Sequence, residues 1–442
     1  MLESIQLQRN RRLQALFQDY EGPPFALRLW DGWCWCSVSD CEPACTIVVH
    51  SPGALRALVD RPSEITLGEA YLSKDIDIEG DIFAVFSVTE HIFQCPRGQR
   101  QRVREWISGL FLEVAQRWTR GKRHSIERDR TAISYHYDQP VDFYRPWLGT
   151  SLAYSCGYFQ SPVDTIDVAQ RNKLELVCRK LRLCPDDRFL DIGCGWGSLI
   201  LHAASRHNVY AQGITISREQ ASVAAERIAS SHLTQSCRVD LLDYREAPGR
   251  LMAFDKIASL GMFEHVGMKN LPRYFRTVHG LLKPGGVFLN HGIARAQVLL
   301  DGDASSLDRS IMSFLRNLPL LRGAQSSSFI DRYVFPEGEL VTISEALRAA
   351  ESAGFEVRDV ENLREHYELT LRAWVGALQK NVSAILKHVS EVTYRIWLLY
   401  MSGAAAAFRQ GDIAVYQMLL SRPDRGDSRL PLTREDWYLS GM

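Results

Sequence analysis

"FLDIGCGWGS", Phe189 to Ser198, decides how the rest of the chain is read. Phe189, Leu190 and Ile192 form a short apolar run that stops at three alternate glycines, Gly193, Gly195 and Gly197. Glycine is needed where backbone turns tightly and a ligand lies against it. The helical pattern "SLILHAASR" follows at once. The loop therefore sits at the carboxyl end of a strand, where open α/β sheets bind their ligands. It lacks GK[ST], so it is no phosphate-cradling loop. Its GxGxG spacing, with Asp191 two residues ahead, also departs from the dinucleotide GxGxxG.

Outward from this loop, strand and helix patterns alternate. "NVYAQGITI" is a strand, "REQASVAAERIASS" a helix, and "CRVDLL" and "DKIASLG" are strands. "LPRYFRTVHGLL" is a helix and "GGVFLNHGI" a strand, and the segment after Glu365 reads as nearly all helical. The succession predicts an α/β fold, an open parallel sheet with helices on both faces. Upstream, "FALRLWDGWCWCSV" and "ACTIVVH" have strand character, "PGALRALVD" looks helical and "GEAYLSKDIDIEGD" turn-rich. Residues 1–95 are thus a small α+β unit, 96–130 a linker, and 131–442 the main domain.

The 442 residues suit two or three domains. Equal totals of 52 basic and 52 acidic residues argue against a globally basic nucleic-acid binder. The linker is an exception: ten Lys/Arg face four acids between Arg97 and Arg130. Val103, Trp106, Ile107, Leu110, Phe111, Val114 and Trp118 make one apolar stripe there at helical spacing. A helix docked on its own core and a basic helix lying on anionic lipid both fit. The start "MLESIQLQRNRRLQ" lacks an apolar signal core, and the run Ile396 to Phe408 is too short to span a bilayer. The expectation is a cytoplasmic protein with reduced thiols. Cys34, Cys36, Cys41 and Cys45 are open to two readings, a zinc site without a paired CxxC or packing thiols.

The form D-x-G-x-G-x-G resembles the first motif of class I S-adenosylmethionine-dependent methyltransferases. Further segments narrow the likeness: "HYDQPVDFY" (His136 to Tyr144), "AYSCGYF", "AQRNK", "GITISREQ", "DYR" and "GMFEHVG" (Gly261 to Gly267), then "KPGGVFLNHGI", "FIDRYVFPEGEL" and "EHYELTLRAW". In this order they resemble the cyclopropane-fatty-acyl-phospholipid synthases and mycolic acid cyclopropane synthases, over roughly residues 130 to 420. Residues 1–95 look like the accessory domain of the phospholipid enzymes.

The resemblance implies a methylene transfer from S-adenosylmethionine to the cis double bond of an unsaturated phospholipid acyl chain, at a membrane surface and without spanning it. The enzyme would be peripheral on the inner membrane face, and a homodimer is admitted. A methyl or methylene branch on the same alkene, or a lipid-binding scaffold without catalysis, are the rival outcomes. The resemblance makes the base a bound bicarbonate. It would be held by Cys156, Glu264, His291, the Ile293 backbone and Tyr367, with no metal. It assigns cofactor contacts to Tyr154, Ser155, Asp191, Gly193, Gly195, Gly197, Thr215, Gln220, Tyr244 and Arg245.

Chemistry adds its own demand: methylating an isolated alkene leaves a carbocation, which electron-rich rings stabilise. Tyr154, Tyr158, Phe159, Phe263 and Tyr367 are candidates. Four departures from the resembled family stand out. No carboxylate ends the second strand, "QGITIS", so either Thr215 and Gln220 hold the ribose or the subfamily uses a different grip. Val141 replaces an asparagine, and Ala404 a cysteine, which removes a covalent thiol role there. The stretch 294–329 is long and keeps helical spacing at Ile311, Phe314, Leu315 and Leu318, as a lid, a membrane-touching helix or a surface insertion.

Overall fold

The structure, a computed structural model, describes residues 17–94 without 18, 39–40 and 55–63, then 139–296, 333 and 339–438. The linker helix at 96–130, residues 297–329 of the insertion and most of "PGALRALVD" lie outside the described residues. The chain divides into two compact units.

The first unit holds a four-stranded sheet in the order β2-β1-β3-β4. Its strands are β1 (Phe25–Leu29), β2 (Cys34–Cys36), β3 (Cys45–Val49) and β4 (Ile76–Gly80), with helices α1 (Glu64–Leu72) and α2 (Ala84–Gln94). "GEAYLSKDIDIEGD" is therefore not turn-rich; it supplies the end of α1 and the whole of β4. Its Asp and Gly content hides a period of two, in which Ile78 meets Ile47 while Asp77 and Glu79 alternate with it. Phe25, Leu27, Ile47, Val49 and Val88 form the core. Ser390–Ala406, which the sequence places inside the main domain, belongs to this unit. Arg395 there donates to the Tyr71 carbonyl at 2.8 Å, pairs with Asp77 and lies 4.5 Å from the Tyr71 ring centroid.

In the second unit the alternation becomes β5 (Arg188–Ile192), β6 (Tyr210–Thr215), β7 (Cys237–Leu241), β8 (Phe254–Leu260), β9 (Leu282–Arg295), β10 (Glu356–Asn362) and β11 (Ile413–Ser421). The sheet order is β10-β11-β9-β8-β5-β6-β7. Strands β5 to β9 run parallel as predicted, but β11 inserts antiparallel between β9 and β10. The region after Glu365 is therefore not all helical. Strand β11, "IAVYQMLLS", is buried along nearly its whole length, so it shows none of the alternation by which a half-exposed strand announces itself.

The helices of this unit are α3 (Val141–Leu148), α4 (Ile166–Leu181), α5 (Ser198–His207), α6 (Arg218–Ser230), α7 (Leu271–Leu281), α8 (Ile343–Ser352) and α9 (Arg364–Lys380); α10 (Glu391–Gln410) begins among the residues of the first unit. Side-chain caps start three of them, Thr165 for α4, Ser217 for α6 and Thr342, in a capping box with Glu345, for α8. Helix α7 turns Tyr274, Phe275, Val278 and Leu281 inward, each such burial stabilising by about 2 kcal/mol. Among the described residues no helix is long and apolar enough to cross a membrane.

Candidate active site

At the carboxyl end of β5 the chain takes positive φ at Gly193 (+79°), Gly195 (+53°) and Gly197 (+83°) and enters α5. A Cβ on Gly193 would meet Met262 Cβ at 3.0 Å, whereas one on Gly195 would meet no protein atom within 4 Å. Gly195 therefore faces the cleft. Tyr154, Ser155, Asp191, Gly193, Gly195, Thr215, Gln220, Tyr244 and Arg245 all line this cleft. Gly197 does not; it is the N-cap that starts α5. Thr215 donates its hydroxyl to Gln220 Oε1 at 2.8 Å, so these two are tied together where a ribose-gripping carboxylate is missing. Arg245 is bound to Asp243 through Nη2 at 2.7 Å and Nε at 3.0 Å, and so walls the cleft with its charge already neutralised.

The cleft also contains residues that the sequence reading passed over. Lys173, on α4, is fully buried and donates to Ser155 Oγ at 3.0 Å. Burial holds its pKa down to about 8. Asp191 is buried too, its carboxyl pushed up to about 7 by desolvation against the pull of Lys173, and its Oδ1 has no protein partner. An unsatisfied buried carboxylate oxygen at the rim of a glycine loop fits a cationic ligand such as a sulfonium amino acid. "AQRNK" held the signal for Lys173. A lysine among apolar helix positions is nevertheless commonly solvated, and only the fold shows it buried.

Beyond the cleft lie the other expected groups. Cys156 is fully buried, donating toward the carbonyls of Gly157 at 3.2 Å and Leu363 at 3.8 Å. Burial pushes its thiol pKa far up, so it stays protonated. Glu264 accepts from the Ile293 amide at 2.8 Å through Oε1, while Oε2 is buried without a partner. Desolvation pushes its carboxyl up to about 7. The Ile293 N–H is thus spent on Glu264 and holds that carboxylate in place, instead of facing an anion directly. His291, two residues back on β9, is buried with Nε2 unpartnered. Desolvation first, then Lys173 and Lys180, holds it down to about 3 and neutral. Lys173 lies within electrostatic reach of Cys156, Asp191 and His291 alike.

Aromatic groups surround this region. Tyr154 packs 5.3 Å from Trp374 and 5.8 Å from Trp147, and Tyr158 stacks 4.7 Å from His366. The Phe159 amide donates to His366 Nδ1 at 3.0 Å. The ring of Tyr367 lies 4.7 Å from Phe408 and 6.2 Å edge-on to Trp374, one turn into α9 from the Leu363 carbonyl that Cys156 reaches. Phe263 sits over Gly292, where a Cβ would approach it to 2.7 Å. Gly292→Ala should therefore lower the melting temperature, by about 2–6 °C for roughly 1–2 kcal/mol of overpacking. An unchanged thermal midpoint would mean that Phe263 has room to move.

The thiols of Cys34, Cys36 and Cys41 are exposed and Cys45 is buried in β3. Among the described residues the only cluster with metal-ligand geometry is another one, Cys178 with His202 and His207. Glu175 accepts from both of these histidines, at 3.0 and 3.4 Å.

The family model "Mycolic acid cyclopropane synthetase" matches residues 124–418, and a domain model described only as of unknown function matches 12–92. A "Probable fatty acid methyltransferase" of Pseudomonas putida is 39% identical over 420 residues, covering 94% of this chain and 96% of that protein. The "Cyclopropane-fatty-acyl-phospholipid synthase" of Escherichia coli is 35% identical over 287 residues, 65% of this chain and 66% of that one. The solved structure of mycolic acid cyclopropane synthase CmaA1 complexed with SAH and CTAB superposes with a TM-score of 0.58 at 33% identity, covering 66% of this chain and 97% of that chain. With its motif-bearing cleft, its 3-2-1-4-5-7-6 sheet order and these matches, the chain belongs to the mycolic acid cyclopropane synthetase family of S-adenosylmethionine-dependent methyltransferases.

Proposed function

We propose that the enzyme transfers a methylene unit from S-adenosylmethionine to the cis double bond of unsaturated phospholipid acyl chains, with bound bicarbonate as the base. The observation that carries this reading is the pair of orphaned buried atoms, Glu264 Oε2 and His291 Nε2, with Glu264 bonded to the Ile293 amide two residues along β9 from His291. A buried polar atom without a protein partner is free to meet a small polar ligand. The Cys156 thiol and an Nε2–H of His291 offer protons to an oxyanion, and Lys173 supplies positive charge nearby. The Glu264 carboxylate supplies the acceptor that the hydroxyl of bicarbonate requires.

When bound, the cofactor supplies an electrophilic methyl carbon on a sulfonium. Asp191 and the glycine loop orient it, and the aromatic side chains packed around Tyr154 keep water away from it. As the alkene bonds to that carbon, the carbon–sulfur bond breaks and a cation is left on the chain. Tyr154, Phe263 and Tyr367 offer ring faces to it. A bicarbonate held by Glu264 and His291 would supply the base that takes a proton from the new methyl group, the C–H electron pair closing the ring. Membrane contact follows from the substrate, since an acyl chain has to leave the bilayer to reach this interior; the protein is read as peripheral on the cytoplasmic face.

A second reading is favoured by one observation: the relative that covers 94% of the chain carries the name fatty acid methyltransferase. The same cation could end as a methylene branch. Incubation with trideuteromethyl cofactor and mono-unsaturated phospholipid vesicles separates the outcomes. Ring and methylene products both keep two deuteriums, while capture of the cation by water keeps three. Gas chromatography then distinguishes ring from branch, and the ring is expected. No label in lipid, with bicarbonate present, would leave only a binding scaffold.

A further inference from the structure

A row of polar side chains crosses three adjacent strands behind His291. In the register of the sheet, His291 on β9 lies opposite Gln417 on β11, and Gln417 opposite Glu361 on β10. Lys180, at the end of α4, covers the row. Gln417 and Lys180 are almost wholly buried, in a wall otherwise made of apolar side chains. Gln417 Nε2 stands 3.3 Å from His291 Nδ1. Lys180 Nζ donates to Gln417 Oε1 at 2.7 Å and pairs with Glu361.

We propose that Lys180 and Gln417 are positioning residues that fix His291 in the tautomer carrying its proton on Nε2, and so aim a donor at the anion site. The argument uses only donor and acceptor chemistry. An ammonium group can only donate, so the amide oxygen of Gln417 must face Lys180. The amide nitrogen is thereby turned to His291, and it too can only donate. Nδ1 is then the acceptor, and the single proton of the neutral ring is left on Nε2, the atom with no protein partner. Glu361 holds the ammonium in place. A buried ion pair seldom adds net stability over an apolar replacement. The tautomer is what this one provides. Without that donor the neutral ring is free to carry its proton on Nδ1, and Nε2 would then turn a lone pair to an oxyanion and repel it.

The inference rests on the anion-binding reading of His291, and its test keeps the two apart. In the wild-type enzyme labelled with ¹⁵N-histidine, the His291 signal is expected to show a protonated Nε2 and a bare Nδ1. Gln417→Glu, whose carboxylate can only accept, should move the proton to Nδ1. Gln417→Leu and Lys180→Met should raise the bicarbonate concentration for half-maximal rate by about 10- to 100-fold, and Lys180→Arg, which keeps the donor, should stay within a few-fold of wild type. Cofactor affinity, read by calorimetry, should hold in all of them, which a general loss of folding would not allow. A proton on Nδ1 in the wild-type enzyme overturns the proposal, and that reading needs no variant to fold. So does an unchanged bicarbonate dependence in Gln417→Leu. A wild-type rate indifferent to bicarbonate would instead remove the anion reading, while the tautomer would still be decided by the nitrogen signals.

Discussion

Glu264→Gln is expected to lower turnover by about 10³-fold, some 4 kcal/mol of barrier, while binding of the sulfonium cofactor stays near normal. The cause lies in what each carboxyl oxygen does. Oε1 accepts the Ile293 amide and is fixed by it. In the glutamine variant the amide oxygen must keep that bond, because the Ile293 N–H can only donate and needs an acceptor. The –NH₂ group is then forced to the Oε2 position, where it meets the hydroxyl of bicarbonate donor to donor. The same carboxylate gives the reaction a pH profile. Desolvation raises its pKa to about 7, so the ionised acceptor is present above that value and lost as pH falls through it. Turnover measured at constant bicarbonate should rise with pH across the neutral range. Unaltered turnover in Glu264→Gln would remove Glu264 from the chemistry.

Asp191→Asn should weaken binding of the cofactor by about 10- to 100-fold at pH 8, a loss of roughly 1.4–2.7 kcal/mol. Asp191 is buried, carries an unpaired oxygen and lines the cleft at the foot of the glycine loop. Its raised pKa means that it is largely protonated below about 7 and charged above it. Affinity for the cationic ligand should therefore strengthen as pH rises through 7 in the wild-type enzyme, and the asparagine variant should lose that slope. Titration calorimetry across the range checks both statements. An affinity in Asp191→Asn equal to wild type, with the same slope, would place the cation's partner elsewhere.

The catalytic half of the chain was legible because its chemistry is local. Gly193, Gly195 and Asp191 sit within one turn, and the strand–helix alternation around them follows from simple periodicity. What escaped is what the fold brings together over distance. Strand β11 is buried on both faces and shows no alternation, so its antiparallel insertion beside β9 could not be read, and Gln417 went with it. Lys173 and Lys180 look like solvated helix lysines until the sheet covers them. Arg245 matched a family position, yet its charge is held by its near neighbour Asp243, a local pairing that spacing alone does not announce. Ile293 matches a family position as well, and the bond from its amide to Glu264 joins two segments far apart in the sequence. In the first unit, aspartates and glycine masked the period of β4.

The most direct test of the central claim is to supply purified enzyme with vesicles of mono-unsaturated phospholipid, trideuteromethyl cofactor and bicarbonate, and to weigh the acyl chains. A saturated chain heavier by one carbon with two deuteriums, with the ring intact by chromatography and its yield falling when bicarbonate is stripped away, is the expected result. Acyl chains that return at their original mass, or heavier by a carbon that keeps all three deuteriums, would contradict it.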